Sequence, residues 1–227
     1  MVKRDLQNEL RNTIYAEFVQ SAHAPSIEEL SIVFNLSRHQ ILLELVEMEK
    51  NHYLVMQPNA NRILFANPFS NIKTAYKVIV ERTKMQYYAN CSWDAIAFHF
   101  MFKERISVDS FCYHCLQPLR FHLKNEEIVE KSHSNLFVYF TKPAVKWWDD
   151  IIDTCSNTMI FLCSDDHKTK WEKSTGIRGR KLLENQIIGL SQFFYATKLD
   201  LDYVRPTVES TQEKFEELGL HDSFWKM

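Results

Sequence analysis

Glycine is scarce in this chain, with four glycines among 227 residues. A nucleotide site usually needs glycine-rich backbone that approaches the phosphates closely, so the sequence argues against nucleotide binding. Long apolar runs are also missing, because no window approaches the roughly 18 uninterrupted apolar residues of a membrane span. The N-terminal residues do not form the apolar segment of a signal peptide. We therefore expect a cytoplasmic protein that does not associate with membranes.

A large excess of charge is absent as well, since 27 basic and 29 acidic residues leave a net charge of −2. Nucleic acids attract proteins with a basic field, so we expect no nucleic acid as a partner. Cysteine occurs five times, which is an odd number. In a reducing cytosol a disulfide framework is not expected. Each cysteine is therefore interpreted as a core residue, a metal ligand or a reactive thiol.

Residues 1–68 predict three helices followed by a β-hairpin. An apolar stripe between residues 5 and 20 is typical of an amphipathic helix. Two capping boxes mark the starts of the second and third helices, namely Ser26 with Glu29 and Ser37 with Gln40. Apolar segments at 53–56 and 63–65 flank a turn at Pro58 and predict the hairpin. This order is that of a winged-helix-like region.

A winged helix suggests two interpretations, DNA binding or a structural cap on the following domain. The third helix would be the recognition helix, and it carries Glu44, Glu47 and Glu49. Acidic side chains repel a phosphate backbone. The sequence therefore favours the structural cap.

Beyond residue 68, strands and helices are interspersed, which predicts an α+β protein with a mixed α/β catalytic domain over 69–200. Strands are predicted at 74–80, 105–111, 119–123, 136–140 and 159–162. Helices are predicted at 93–102, from Pro143 through Trp148, at 167–171, at 180–197 and at 208–218. Residues 201–227 are interpreted as a C-terminal helical extension.

Cys91 and Asp94, in Asn90-Cys91-Ser92-Trp93-Asp94, are the first candidates for chemistry. A thiol at a helix N-terminus gains thiolate character from the helix dipole. On a helix, residues three apart share a face, so the carboxyl group would lie near the sulfur, where it could hold or deliver a proton. The alternative is a buried cysteine beside an Asp that caps a helix. The residues alone leave both interpretations open.

The other cysteines are less informative. Cys112 and Cys115 form a Cys-x-x-Cys motif, which is half of a zinc site, with His114 and His122 as nearby candidates. A redox dithiol is possible in principle, but the motif lies between strands and favours a structural turn. Cys155 lies between a helix and a strand, where a side chain can face a cleft. Cys163, within an apolar run, is interpreted as a core residue.

Several segments of the chain resemble the alkylmercury lyase family. The resemblance covers most of residues 5–200. It is carried by Tyr88 to Ala95 around Cys91, by Phe111 to Cys115 with Pro118, by Val138 to Phe140, by Trp147 to Asp150, by Thr154 to Ser156, and by Phe161, Ser164 and Trp171.

The resemblance implies protonolysis of a carbon–mercury bond. Cys91 would be the first mercury ligand, Cys155 the second, and Asp94 the proton donor. Hydrocarbon would leave, and Hg(II) would pass from the two sulfurs to other thiols or to a thiol protein. No cofactor is needed, and the partner is a small organomercurial.

The second mercury ligand is the point at which this sequence departs from the family. Alignment on Ser164 and Trp171 places Ser156, not Cys155, at the position of the family's cysteine. Ser92 and Trp93 also stand where characterised members have smaller or aliphatic residues. Two alternatives follow: an enzyme of this fold with a non-mercurial substrate, or a winged-helix regulator that senses thiols or metals.

Overall fold

The computed structural model describes residues 3–227, and the chain begins with three helices. These are α1 (Lys3–Ser21), α2 (Ile27–Phe34) and α3 (Arg38–Lys50). Both predicted capping boxes are formed, at Ser26 and at Ser37. In each, the serine side chain accepts a backbone N–H of the first turn. The side chain of the third helical residue in turn accepts the backbone N–H of the serine. The helix starts are therefore set by local sequence.

A small antiparallel sheet follows the three helices. Its strands are β1 (Val55–Met56), β2 (Ile63–Ala66) and β3 (Phe69–Ser70), in that order. The α1 helix packs against this region, because Phe18 stacks on Phe69 with ring centroids 4.8 Å apart. The Tyr15 hydroxyl donates to the carbonyl of Asn67 at 2.7 Å. The helices thus cover the part of the chain that follows them, while the winged-helix-like character of this region stays a prediction.

The largest sheet has five antiparallel strands in the order β5-β4-β6-β7-β8. They are β4 (Lys77–Val80), β5 (Gln86–Tyr88), β6 (Ile106–Phe111), β7 (Pro118–Lys124) and β8 (Glu127–Val129). In β7, burial alternates, with Leu119, Phe121 and Leu123 facing the core. This alternation is expected for a strand with one covered face.

The α4 helix (Ser92–Phe102) lies at the centre of the molecule, with every residue from Ser92 through Met101 buried. It packs against α7 (Glu184–Tyr195). A second sheet has the order β10-β9-β11 and is antiparallel. Its strands are β9 (Phe137–Phe140), β10 (Met159–Leu162) and β11 (Arg180–Lys181), and the remaining helices are α5 (Ile151–Asp153), α6 (Asp165–Thr175) and α8 (Val208–Glu217). The α+β class expected from the sequence is confirmed.

Two helix predictions need correction. The helix expected from Pro143 is a single 3₁₀ turn, Ala144–Lys146, that ends before the tryptophans. The helix expected over 180–197 begins at Glu184, because Arg180–Lys181 pairs with β9. Gly179 allows this close pairing, since a Cβ there would lie 2.0 Å from the carbonyl oxygen of Phe140.

Across residues 3–227, none of the helices has both the length and the apolar character that crossing a membrane requires.

Candidate functional site

Cys91 is the N-cap residue of α4. Its backbone is extended, and its Sγ accepts the backbone N–H of Asp94 at 3.3 Å. The preceding residue, Asn90, is buried and anchors this turn through its Nδ2, which lies 3.1 Å from Asn67 Oδ1 and 3.3 Å from the carbonyl of Pro68. The thiol therefore replaces the hydroxyl or carboxylate that usually caps a helix.

Asp94 lies in the first turn of α4 and is buried. The hydroxyl of Tyr195, at the end of α7, donates to Asp94 Oδ1 at 2.5 Å. Among the residues that the structure describes, Asp94 Oδ2 has no hydrogen-bond partner. One carboxyl oxygen is thus held in place, and the other is available for proton transfer.

Cys155 lies in one π-helical turn, Thr154–Thr158, that continues directly from α5. Single π turns inside helices are frequent at functional sites. The Thr154 hydroxyl anchors the turn, at 2.9 Å from the carbonyl of Trp147. Cys155 is buried, whereas Ser156 is exposed. The structure therefore turns Cys155, and not Ser156, towards the interior.

The structure brings the three candidates together. Cys91 Sγ, Cys155 Sγ and a carboxylate oxygen of Asp94 all lie within 4.8 Å of one another. Cys91 and Asp94 are joined by the first turn of α4, whereas Cys155 comes from a distant segment of the chain. Two sulfurs at this separation can bind one soft metal ion, and the adjacent carboxyl group can exchange a proton with a ligand of that ion.

Burial dominates the electrostatics of this site. It raises the pKa of the Cys91 thiol well above its ordinary value, helped by hydrogen bonding with Cys155 and by the nearby charge of Asp94. The sequence led us to expect the opposite shift, from the helix dipole; desolvation of the thiolate outweighs the hydrogen bond from the Asp94 N–H. Burial also raises the pKa of Asp94, although hydrogen bonds from Tyr195 and Cys91 lower it.

A cavity of about 390 Å³ opens onto the three groups. Aromatic and apolar side chains form much of its wall, including Trp93, Trp147, Trp148, Met159, Phe194 and Tyr203. Trp93 packs edge-on against Tyr195, with ring centroids 5.9 Å apart. Such a wall favours a small apolar organic group and limits water near the sulfurs.

Several lining residues were not found from the sequence. Tyr195 and Lys198 stand within or just after a helix, and Arg205 lies in the segment interpreted as an extension. Burial and the neighbouring Arg11 and Arg205 lower the pKa of Lys198 to about 7. No local pattern marks these residues, because each reaches the cavity only through tertiary packing.

The remaining cysteines lie together in a second place. Cys163 is buried as expected of a core residue, but its Sγ lies 2.9 Å from Nδ1 of His167. Cys112 and Cys115 join them, and the four potential ligand atoms lie within 4.8 Å of one another. The partners of the Cys-x-x-Cys motif are thus Cys163 and His167, and not His114 or His122.

Comparisons with known proteins found a matching family model and a similar solved structure. The family model MerB, described as alkylmercury lyase, matches residues 69–195. The solved structure titled "Crystal structure of the mercury-bound form of MerB2" superposes with a TM-score of 0.68 at 13% identity, covering 86% of this chain and 91% of that chain. At this identity the likeness shows the fold alone. No curated protein sequence matches the chain significantly.

Proposed function

Because the chain belongs to the alkylmercury lyase family, we propose that Cys91 and Cys155 bind the mercury of an organomercurial while Asp94 protonates its carbon. The family's reaction is carbon–mercury bond cleavage, and the chain is an enzyme of that class. The assignment of residue roles depends on one observation above all. Two buried thiols and a buried carboxyl group converge within 4.8 Å at the end of an apolar cavity.

Mercury binding follows from the two sulfurs. Thiolate sulfur is the preferred protein ligand for soft metals. A near-linear ion held by two thiolates needs sulfurs roughly 4 to 5 Å apart, about twice a metal–thiolate bond of about 2.3 Å. Cys91 and Cys155 are near enough to share such an ion, since their Sγ atoms lie within 4.8 Å of one another. Ser156, being exposed, is not a ligand in this proposal.

The proton comes from the site itself. Cys91 is held as a neutral thiol by burial, so it must lose a proton when it binds mercury. Asp94 Oδ2, which lacks a partner among residues 3–227, accepts that proton. The second sulfur, Cys155, then binds and its proton leaves with X as H–X. Asp94 delivers the proton from Cys91 to the carbon as the carbon–mercury bond breaks. In sum, R–Hg–X and two thiols give R–H, a mercury dithiolate and H–X.

The cavity wall would bind the organic group. Trp93 and the neighbouring aromatic rings offer apolar area next to the sulfurs, and a water-poor site strengthens the electrostatic interactions of the proton transfer. Product release needs competing thiols, because two thiolates hold Hg(II) tightly. We therefore propose that small thiols or a thiol protein remove the ion, and that no cofactor takes part.

The test uses the purified full chain, an organomercurial and excess thiol. We expect hydrocarbon in the headspace and Hg(II) in solution. Asp94→Ala should lower hydrocarbon release by about 10²–10⁴-fold, the range for loss of a general acid, and Cys91→Ser should abolish it. The exposed neighbour supplies a matched control, Ser156→Ala, which should retain activity. Unchanged turnover in Cys91→Ser or in Asp94→Ala would refute the assigned roles.

No finding favours the two alternatives suggested by the sequence. A non-mercurial substrate would be indicated by stoichiometric mercury binding without hydrocarbon release. A regulator would be indicated by DNA binding that responds to metal in a gel-shift titration at low salt. Either result would replace the lyase assignment.

A further inference from the structure

We propose that Cys112, Cys115, Cys163 and His167 bind a zinc ion that fastens the two sheets of the catalytic region together. This site is separate from the mercury-binding thiols, and the inference does not depend on the proposed roles of Cys91, Cys155 and Asp94. It accounts for the three cysteines that the lyase chemistry leaves unused.

The four ligands come as two pairs from distant parts of the chain. Cys112 directly follows β6, and Cys115 lies in the turn before β7. Cys163 directly follows β10, and His167 lies in the first turn of α6. The pattern is therefore Cys-x₂-Cys followed by Cys-x₃-His, and both spacings are short enough for each pair to grip one ion.

The spacing of the ligand atoms is close to that of a tetrahedral site. All four lie within 4.8 Å of one another, and Cys112 Sγ is 3.6 Å from His167 Nδ1. Metal–ligand bonds of about 2.0 to 2.3 Å separate the corners of a tetrahedron by about 3.3 to 3.8 Å. Small side-chain rotations therefore suffice to place one ion at equal bonding distance from all four atoms.

The tight turn that carries Cys112 and Cys115 places both thiols near the second pair of ligands. The backbone N–H of Leu116 donates to the carbonyl of Cys112 at 2.8 Å, and Leu116 has a positive φ of 61°. This tight turn directs both thiols to one side. The N–H of Tyr113 donates to the carbonyl of Phe161 in β10 at 3.1 Å, so this hydrogen bond holds the turn next to the strand that precedes Cys163.

The donor set selects the metal. Three sulfurs and one imidazole suit zinc, whereas magnesium and calcium require oxygen ligands. Four protein ligands complete the tetrahedron and leave no open position, which is the mark of a structural zinc site rather than a catalytic one. Cys112 and Cys163 are buried, while Cys115 and His167 are partly exposed. The exposed pair provides the route by which the ion enters.

The zinc site lies close to the turn that carries Cys155, so the ion should affect the lyase chemistry. The β10 strand, which directly precedes Cys163, begins immediately after the π turn that carries Cys155. On the other side, the Tyr113 hydroxyl donates to the carbonyl of Ser156 at 3.2 Å. The zinc site is therefore linked to the Cys155 turn twice, through β10 and through the Tyr113 hydrogen bond to Ser156, and loss of the ion should loosen that turn.

The experiment measures metal in the full chain, purified without chelator and after removal of any histidine tag. We expect one zinc per chain by plasma mass spectrometry. Cys163→Ser and His167→Ala should lose the ion, whereas His167→Cys should retain it as a four-thiolate site. The matched controls Cys91→Ser and Cys155→Ser alter the other thiol pair and should each keep one zinc.

A second measurement uses the unaltered chain and so does not depend on the folding of a variant. Exchange of the zinc for Co²⁺ should give the visible bands of tetrahedral cobalt together with thiolate-to-cobalt charge transfer. The proposal is overturned if the chain retains no zinc after incubation with the ion and dialysis. It is equally overturned if Cys91→Ser loses zinc while Cys163→Ser keeps it, or if mass spectrometry finds Cys112 and Cys115 joined in a disulfide.

Failure of this site and failure of the lyase are distinguishable. If the chain holds no zinc but still releases hydrocarbon, only the zinc proposal is refuted. A chain that holds one zinc but releases no hydrocarbon would remove the residue roles of the lyase and leave the zinc site standing.

Discussion

At Cys91, two physical effects on the thiol act in opposite directions. The N-terminus of α4 stabilises the thiolate, and burial destabilises it. Burial is the larger effect, and the pKa of Cys91 is raised. The same burial raises the pKa of Asp94. The thiol therefore stays protonated until a soft metal ion displaces its proton from sulfur. This suits a reaction that transfers a proton to carbon.

Tyr195→Phe tests how the hydrogen bond from Tyr195 sets the pKa of Asp94. The Tyr195 hydroxyl donates to Asp94 Oδ1 and lowers the pKa of Asp94, so its removal should raise that pKa. After Cys91 has bound mercury, Asp94 carries the proton that it must deliver to carbon. If Asp94 loses that proton to solvent the reaction stops, so activity falls as pH rises through the pKa of Asp94 in this state. The alkaline limb of hydrocarbon release should therefore move to higher pH by about one unit, the equivalent of one hydrogen bond to a charged group.

The measurement is a pH profile of single-turnover hydrocarbon release. Gln192→Ala, on the exposed side of the same helix, is the control and should leave the profile in place. If the alkaline side of the pH profile stays in place in Tyr195→Phe, or moves to lower pH, then Tyr195 does not lower the pKa of Asp94.

At the scale of secondary structure, the turn between α5 and β10 decides which side chain becomes the second mercury ligand. A one-residue shift in the alignment had left Cys155 and Ser156 as competitors. The π turn buries Cys155 and exposes Ser156. A widened helical turn adds a residue locally, and in this way it turns Cys155 inward although the sequence alignment is offset.

Exchanging the two residues tests this reading of the turn. In Cys155→Ser with Ser156→Cys, the thiol moves to an exposed position and can no longer face Cys91. Hydrocarbon release should fall to the level of Cys155→Ser alone, because both lack the second sulfur. Ser156→Cys alone, the control, should keep activity. Restored activity in the exchanged protein would mean that the turn repacks to present residue 156.

At the scale of the whole molecule, the cavity is lined by three regions that are distant from one another in the sequence. Residues 52–55 from the N-terminal part and residues 203–211 from the tail line it together with the catalytic segments. Trp148 illustrates the assembly, since His52 stacks on its ring at 4.0 Å and the Arg205 guanidinium lies 4.4 Å from it. The segment after residue 200, interpreted from the sequence as an extension, is part of the cavity wall.

Trp225→Ala tests how far the tail stabilises the fold. Trp225 is buried and packs against Phe140, Trp147 and Phe215. Its truncation should lower the free energy of unfolding by about 3–5 kcal/mol, the usual cost of removing a large buried aromatic side chain. Urea denaturation measures the change. The exposed neighbour provides the control, Lys226→Ala, for which a change below about 0.5 kcal/mol is expected; equal effects would contradict the proposed packing.

Local sequence was sufficient for the features that depend on neighbours along the chain. The capping boxes at Ser26 and Ser37 formed as predicted because their hydrogen bonds close within one helical turn. Cys91 and Asp94 met for the same reason, three residues apart at a helix start. The helix expected after Pro143 failed because Trp147 is buried against Phe140 and Trp225, and helical propensity does not describe such tertiary contacts.

The remaining features required the folded chain. The direction of Cys155, the hydrogen bond from Tyr195 to Asp94 and the pairing of Cys112 and Cys115 with Cys163 and His167 all join segments far apart in sequence. Desolvation, which reverses the expected pKa shift of Cys91, is also a property of the packed interior. Residue order reveals which groups are present and which neighbours they have. Long-range packing sets their distances and their exposure to water, and these two quantities determine the chemistry of the site.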